Sequence, residues 1–199
     1  MSEPQIYLAS TSPRRRELLV QLGVSVEVVL QDVSENRLSG ESPESYVKRL
    51  ALEKARCGLN SLGRESLYPV LGADTAVVVD DEVMGKPLDR RDALAMLQRL
   101  SGRSHRVLSA VAVVGRDNLG QDREEVKVSE SIVRFRAISE KEIEAYWDTG
   151  EPTDKAGGYA IQGLAALFIE YIEGSYSGVM GLPLFETGKL LQQFGIKFF

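Results

Sequence analysis

The stretch Ile6-Tyr7-Leu8-Ala9-Ser10-Thr11-Ser12-Pro13-Arg14-Arg15-Arg16-Glu17-Leu18-Leu19 sets the terms for the whole chain. An apolar, strand-like run over 6–9 ends in small hydroxyl residues. Pro13 and three arginines then open a helical pattern over 14–22, which Gly23 stops just past its last turn. That order gathers free backbone N–H groups, hydroxyls and guanidiniums at one helix N-terminus. The dipole there favours anions, and arginine adds forked donors that match phosphate oxygens. Arginines in a first turn work against the macrodipole, so their position asks for a reason. A capped surface helix with solvated arginines fits the same residues, and the rest of the chain has to decide.

Beyond Gly23, residues 24–30 are β-branched and strand-like. Ser42-Pro43 places an N-cap before a proline at the first helical position. Tyr46, Val47, Leu50, Ala51, Lys54 and Ala55 follow at helical spacing. The apolar runs 68–71 and 76–79 have the character of buried strands, broken by Gly72-Ala73-Asp74-Thr75, and Asp80-Asp81 reads as a hairpin tip. A helix over 89–100 closes at Ser101-Gly102. Two long strands, 105–114 and 124–137, are joined by a polar turn, and a helix over 139–147 opens with the capping box of Ser139 and Glu142. A strand over 164–172 and a helix over 184–194 complete the pattern. No repeat, linker or low-complexity tract divides the chain. The expectation is one α/β domain over 1–199 with a mixed sheet and a cleft.

With 199 residues, 43% of them hydrophobic, the chain is long enough for one substantial core. A net charge of -5 argues against a general nucleic-acid binder but leaves room for a local basic cleft. Cys57 is the only cysteine, which rules out an internal disulfide framework and a cysteine-based zinc site. Met1-Ser2-Glu3-Pro4 lacks the basic and apolar regions of a signal peptide, and no apolar run is long enough to span a bilayer. The expected location is the cytoplasm, with no membrane partner and no stable nucleic-acid binding.

Asp74 stands out for chemistry, because it lies between two apolar β-like runs where an unpaired charge is costly, and Gly72 just before it fits a backbone making close approach to something. It is either a carboxylate aimed into a cleft or a turn cap bonded to its own backbone. Lys54 shares a helix face with Leu50 and Ala51. Lys86 sits in the rigid turn Met84-Gly85-Lys86-Pro87. The glycine-rich run 154–163 holds Asp154, Lys155 and Gln162 in fixed order without matching a Walker motif. Each lysine taken singly is equally a solvated surface charge. Taken together, cations come from five places (Arg14, Arg15, Lys54, Lys86, Lys155) and carboxylates from three (Glu35, Asp74, Asp154). A polyphosphate needs the former, and a metal with a water nucleophile needs the latter. His105 is the sole histidine, and neither paired histidines nor a nucleophile elbow is present.

Read as a set, these motifs resemble the Maf family of nucleoside triphosphate pyrophosphatases nearly end to end. The resemblance is carried by residues 8–15, Glu35, Arg49-Leu50-Ala51-Leu52-Glu53-Lys54-Ala55, Gly72-Ala73-Asp74-Thr75, Gly85-Lys86-Pro87, Leu100-Ser101-Gly102, residues 154–163 and Val179-Met180-Gly181-Leu182-Pro183. It implies an α/β fold with an elongated, curved mixed sheet flanked by helices, two lobes around a deep cleft, similar to the inosine triphosphate pyrophosphatases. It also implies a homodimer, to which the apolar end 196–199 would contribute unless it packs at a core edge. The implied reaction cleaves a nucleoside triphosphate to the monophosphate and pyrophosphate with a divalent cation, Mg2+ or Mn2+.

By the same resemblance, Asp74 would activate water and stay ionised beside the metal and the lysines. Glu35 would be a metal or water partner, and Asp74 and Glu35 together the metal ligands. Ser10, Arg14, Arg15, Lys54 and Lys86 would hold the triphosphate, with Lys86 also stabilising charge in catalysis. Thr75, Asp154, Lys155 and Gln162 would complete the substrate site. Arg14, Thr75 and Gln162 match the branch of the family that prefers dTTP and UTP. A Gln162 amide offers both donor and acceptor to the edge of uracil or thymine, and Arg14 would repel a cationic methylated guanine. Two other readings are a nucleotide sensor in septum formation and an enzyme with purine preference. Intact carboxylates favour catalysis over sensing.

Overall fold

The structure, a computed structural model, describes residues 4–63, 66, 68–117 and 119–198; the expectations placed on residues 1–3 and on Phe199 lie outside them. In chain order the elements are β1 (Ile6–Leu8), α1 (Pro13–Gln21), β2 (Val26–Val28), α2 (Pro43–Leu62), β3 (Val70–Val79), β4 (Glu82–Met84), α3 (Arg90–Leu100), β5 (Ser104–Arg116), β6 (Asp122–Phe135), α4 (Glu140–Asp148), β7 (Ile169–Glu173), α5 (Tyr176–Met180) and α6 (Leu184–Gln193). Between α4 and β7 the chain makes three 3-10 turns, Glu151–Asp154, Ala156–Gly158 and Leu164–Phe168. The fold is mixed α/β around one sheet of order β2-β1-β3-β5-β6-β7, with β4 on β3.

The pairing of β3 positions everything that follows. Along one edge β5 runs antiparallel to β3 from Val70 to Val78. On the other edge two partners share the strand. β1 pairs in parallel with Val70 and Leu71, and β4 pairs antiparallel with Val77, Val78 and Val79. No strand among the described residues pairs with 72–76 on that edge. The result is a notch in the sheet, with Asp74 and Thr75 at its floor.

Side chains alternate along β3, so its two faces build separate cores. On one face α2 packs Val47, Ala51 and Ala55 against Ala76, Val78, Leu108 and Ala110. On the other, Leu18, Leu19, Leu190 and Leu191 cover Leu71, Ala73, Val111 and Val113. Further along that face, Leu97, Leu100, Ile143 and Phe135 gather around Val77 and Val79. Thr75 falls between these last two clusters.

Several expectations need correction. Residues 72–75 do not break the strand: β3 is continuous over ten residues. Gly72 is there because α2 lies directly on it. A Cβ at that position would stand 2.3 Å from the Ala51 carbonyl oxygen and 2.6 Å from the Ala55 nitrogen. The strand expected over 164–172 begins only at Ile169, since the Glu151 carboxylate draws in the Leu164 and Ala165 N–H groups and winds the preceding residues into a 3-10 turn. The strand expected over 24–30 shortens to three residues at the sheet's outer edge. The short helix α5 was not foreseen. The hairpin tip is as expected, with Asp80 and Asp81 both at positive φ (52° and 60°) as a tight two-residue turn requires. No helix among the described residues is long and apolar enough to cross a membrane.

Candidate active site

A cleft of about 300 Å3 opens at the notch, and every one of the eleven candidate residues lines it: Ser10, Arg14, Arg15, Glu35, Lys54, Asp74, Thr75, Lys86, Asp154, Lys155 and Gln162. They come from six separate parts of the chain, which only the shared edge of β3 brings together.

The first wall is the β1–α1 turn. Ser12 occupies the N-cap position of α1 without a side-chain cap bond, and no acid occupies the first turn. Ser10 Oγ instead accepts from the Ser12 N–H at 3.2 Å and from the Arg15 guanidinium at 3.1 Å. Arg15 also donates through Nε to the Gly181 carbonyl at 2.9 Å, tying this turn to the end of α5. Burial and the neighbouring Arg14 lower the pKa of Arg15, while Asp74 and Glu35 work the other way.

The second wall is α2. Lys54 is 4% exposed, and its ammonium donates to Asp74 Oδ1 at 2.7 Å and to Glu35 Oε1 at 2.6 Å. Glu35 belongs to an irregular segment that α2 pins down: Tyr46 donates to the Glu35 carbonyl at 2.9 Å, and Arg49 to the Asn36 carbonyl at 3.0 Å. The two carboxylates respond in opposite directions. Burial pushes Asp74 up from its ordinary value, and the attraction of Lys54 and Arg15 offsets only part of that. In Glu35 burial is outweighed by Lys54, Lys86 and Arg15, so its pKa falls.

Lys86 follows β4 in a turn whose Gly85 carbonyl accepts from the Gly157 N–H at 2.9 Å, which joins it to the glycine-rich segment. There Asp154 and Lys155 form an ion pair that lowers Asp154, with Arg14 contributing. Gln162 is exposed at the rim. Two knots hold this segment in shape. Glu151 accepts from Tyr146 Oη at 2.7 Å, from Leu164 N at 2.9 Å and from Ala165 N at 3.3 Å, while Ala160 N donates to Tyr146 Oη at 3.3 Å. A Cβ on Gly163 would meet the Glu151 carboxylate at 2.3 Å. The second knot joins Tyr159 Oη to His105 Nε2 at 2.8 Å, and burial holds the imidazole down at about 4.

Thr75 has a partner that no local pattern announces. Its Oγ1 lies 2.6 Å from Ser109 Oγ, and Ser109 donates to the Gly178 carbonyl at 2.6 Å. Tyr46, Tyr159, Met180 and Gly181 also line the cleft without having been singled out for it. Tyr46 was detectable in principle, since it stands eight residues before Lys54 on one helical face. Ser109 was not, being one small residue among apolar ones in a long strand.

Chemically, the arrangement offers fixed cations for an anionic chain and a buried carboxylate with raised proton affinity. Beside them runs an apolar stretch along Val77, Val107, Tyr159, Ile161 and Met180.

Known proteins are similar to this chain over nearly its whole length. The Maf-like protein family matches residues 5–194. The dTTP/UTP pyrophosphatase of Alkalilimnicola ehrlichii is 56% identical over 198 residues, spanning 98% of this chain and 95% of that protein. The dTTP/UTP pyrophosphatase of Aromatoleum aromaticum is 52% identical, with 97% of each chain covered. Among solved structures, the dITP/XTP pyrophosphatase of Mycobacterium abscessus shows a partial likeness: 22% identity over 65% of this chain and 73% of that one, with a TM-score of 0.43. By the extent of the family match and the identity to these relatives, this chain belongs to the Maf-like protein family.

Proposed function

We propose that this protein hydrolyses nucleoside triphosphates, chiefly dTTP and UTP, to the monophosphate and pyrophosphate. The observation that carries this reading is the buried Lys54 ammonium held between Asp74 and Glu35, in a cleft that also presents Arg14, Arg15, Lys86 and Lys155. The names of the relatives, dTTP/UTP pyrophosphatases, supply the substrate class.

Hydrolysis of a phosphoanhydride needs positioning and charge neutralisation more than covalent help. Arg14, Lys86 and Lys155 bind and orient the triphosphate, while Ser10 and Arg15 keep the β1–α1 turn in place around it. Asp74 takes the proton of the attacking water. Its raised pKa suits it better to that task than a solvated aspartate would be. The water oxygen bonds to the α-phosphorus as the bridging oxygen leaves with the pyrophosphate, and the cations hold the charge that gathers there. Lys54 keeps Asp74 and Glu35 apart and oriented.

The donor set also fits a divalent cation, Mg2+ or Mn2+. Lys54 engages one oxygen of each carboxylate, leaving the second oxygens of Asp74 and Glu35 for a metal. The described residues include no cluster of three or more His, Cys, Asp or Glu that would hold an ion alone. Two carboxylates completed by substrate phosphates is how Mg2+ is commonly bound. When bound, such an ion would neutralise phosphate charge. On the same reading the enzyme is a homodimer that removes triphosphates from the nucleotide pool, and sedimentation of the intact chain checks the oligomer.

The test is pyrophosphate release from a panel of triphosphates with Mg2+ or Mn2+, comparing the wild type with Asp74→Asn. Turnover of dTTP and UTP that the variant abolishes supports the proposal. Binding without turnover favours a sensor, and a purine preference sinks the assignment of substrate.

A further inference from the structure

We propose that Ser109 sets the base preference of the cleft by fixing the Thr75 hydroxyl as a hydrogen-bond acceptor for the N3–H of a uracil or thymine ring. The inference deepens the reading of the cleft as a triphosphate site and rests on it.

Ser109 stands opposite Thr75 in the β3–β5 register and is 1% exposed. Its Oγ is 2.6 Å from the Gly178 carbonyl oxygen, which has no hydrogen to give, so the single Ser109 hydroxyl hydrogen points there. Thr75 Oγ1, 2.6 Å from Ser109 Oγ, must then be the donor in that contact. A hydroxyl has one hydrogen, and that of Thr75 is committed to the protein. A ligand in the cleft meets only its lone pairs.

That polarity says which part of a nucleotide lies there. Phosphate oxygens at neutral pH are acceptors and would be repelled, so Thr75 faces the base or the sugar. Val77 and Val107 stand next to it on the same face of the sheet, and Ile161 and Met180 line the same cleft, a surface that suits a flat ring better than hydrated sugar hydroxyls. Uracil and thymine carry a hydrogen on N3. Cytosine carries a lone pair at the same place, which would set acceptor against acceptor. A site with a committed acceptor rejects a ring lacking the matching donor more strongly than an apolar pocket could. Without Ser109 the Thr75 hydroxyl turns freely and can donate, so cytosine becomes tolerable.

The experiment uses the full-length chain and two readouts. These are kcat/KM for dTTP against dCTP and for UTP against N3-methyl-UTP, and calorimetric Kd values for dTTP and dCTP. Ser109→Ala and Thr75→Val are compared with the wild type, and thermal melts confirm that each variant folds. The wild type is expected to reject dCTP and N3-methyl-UTP. Ser109→Ala is expected to lower the dTTP:dCTP ratio by about tenfold, through improved dCTP rather than loss of dTTP turnover. A merely structural role would lower both together. Thr75→Val should lower the ratio to a similar extent, with no further change when Ser109→Ala is added.

A ratio unchanged within about twofold in Ser109→Ala, or a wild type indifferent to N3 chemistry, overturns the proposal. Should Ser109→Ala not fold, Thr75→Val and the N3-methyl substrate decide the matter. Absence of turnover with a dTTP binding preference that Ser109→Ala erodes would sink the pyrophosphatase reading and keep this one. Turnover without such a preference would do the reverse.

Discussion

At the scale of residues, Lys54 links two carboxylates of different character. Asp74 is 7% exposed and raised by burial, whereas Glu35 is half exposed and lowered by the surrounding cations. Asp74 accepts a proton only when ionised, so a raised pKa moves the acid limb of the pH–rate profile above the place a free aspartate would put it. Lys54→Met removes the charge that pulls Asp74 down, so that limb should move further up in pH. Breaking this buried pair should also cost roughly 3–5 kcal/mol, read as a fall in denaturant midpoint. Asp74→Asn behaves differently. A raised carboxylate pKa favours the folded state below the unfolded pKa, and that benefit is lost as pH rises through the folded pKa. Removing the charge should therefore leave the neutral-pH melting temperature unchanged or higher, while turnover falls by about 10²–10⁴. A parallel fall in stability and activity would mean that Asp74 is structural.

At the scale of elements, the close approach of α2 to β3 decides where Lys54 sits. Gly72→Ala puts a methyl group against helix backbone that has no side chain to move aside. A cost of roughly 1–3 kcal/mol or more is expected, with turnover lost because Lys54 and Asp74 separate. Chemical denaturation and assay of the same sample check both. The glycine-rich segment depends on the His105–Tyr159 bond. His105 is held neutral down to about 4, against 6.5 when solvated. An unfolded chain binds the proton first, so this group withdraws stability as pH falls from about 6.5 toward 4, reaching about 3 kcal/mol. His105→Gln should flatten that part of the curve of melting temperature against pH, and an unaltered curve would exclude the imidazole as its source.

Elements also differ in how far the sequence disclosed them. The α4 capping box, the Pro13 and Pro43 helix starts and the Asp80-Asp81 tip are local signals, and each appears where it was read. The close backbone approach expected at Gly72 is present, but what approaches it is a helix that begins nearly thirty residues earlier, which no local pattern names. The 3-10 turn at Leu164–Phe168 depends on Glu151, and an apolar run alone cannot show that a distant carboxylate will capture its N–H groups.

At the scale of the molecule, the cleft exists because β1 and β4 divide one edge of β3 between them. Charges at apolar positions made Asp74 and Lys54 conspicuous in the sequence, but a shared edge is a long-range property that no local pattern carries. Since the candidate residues come from six segments, a nucleotide bound as proposed would hold them together. Saturating dTTP at about 100 times its dissociation constant should stabilise the fold by about 2.7 kcal/mol. Thermal melts with dTTP on Asp74→Asn, which does not consume the ligand, measure this directly.

An unpaired length of strand is ordinarily an invitation to another chain, because its open peptide groups template further β-pairing and aggregation. In this protein the opening over 72–76 is rimmed by Arg14, Lys86 and Lys155. A second copy offering its own notch would bring the same positive charges with it and be turned away, whereas a polyanion is drawn in. On the proposed reading, the groups that receive the nucleotide double as gatekeepers, turning the protein's own kind away from the length of the central strand, 72–76, that no described strand pairs on this edge.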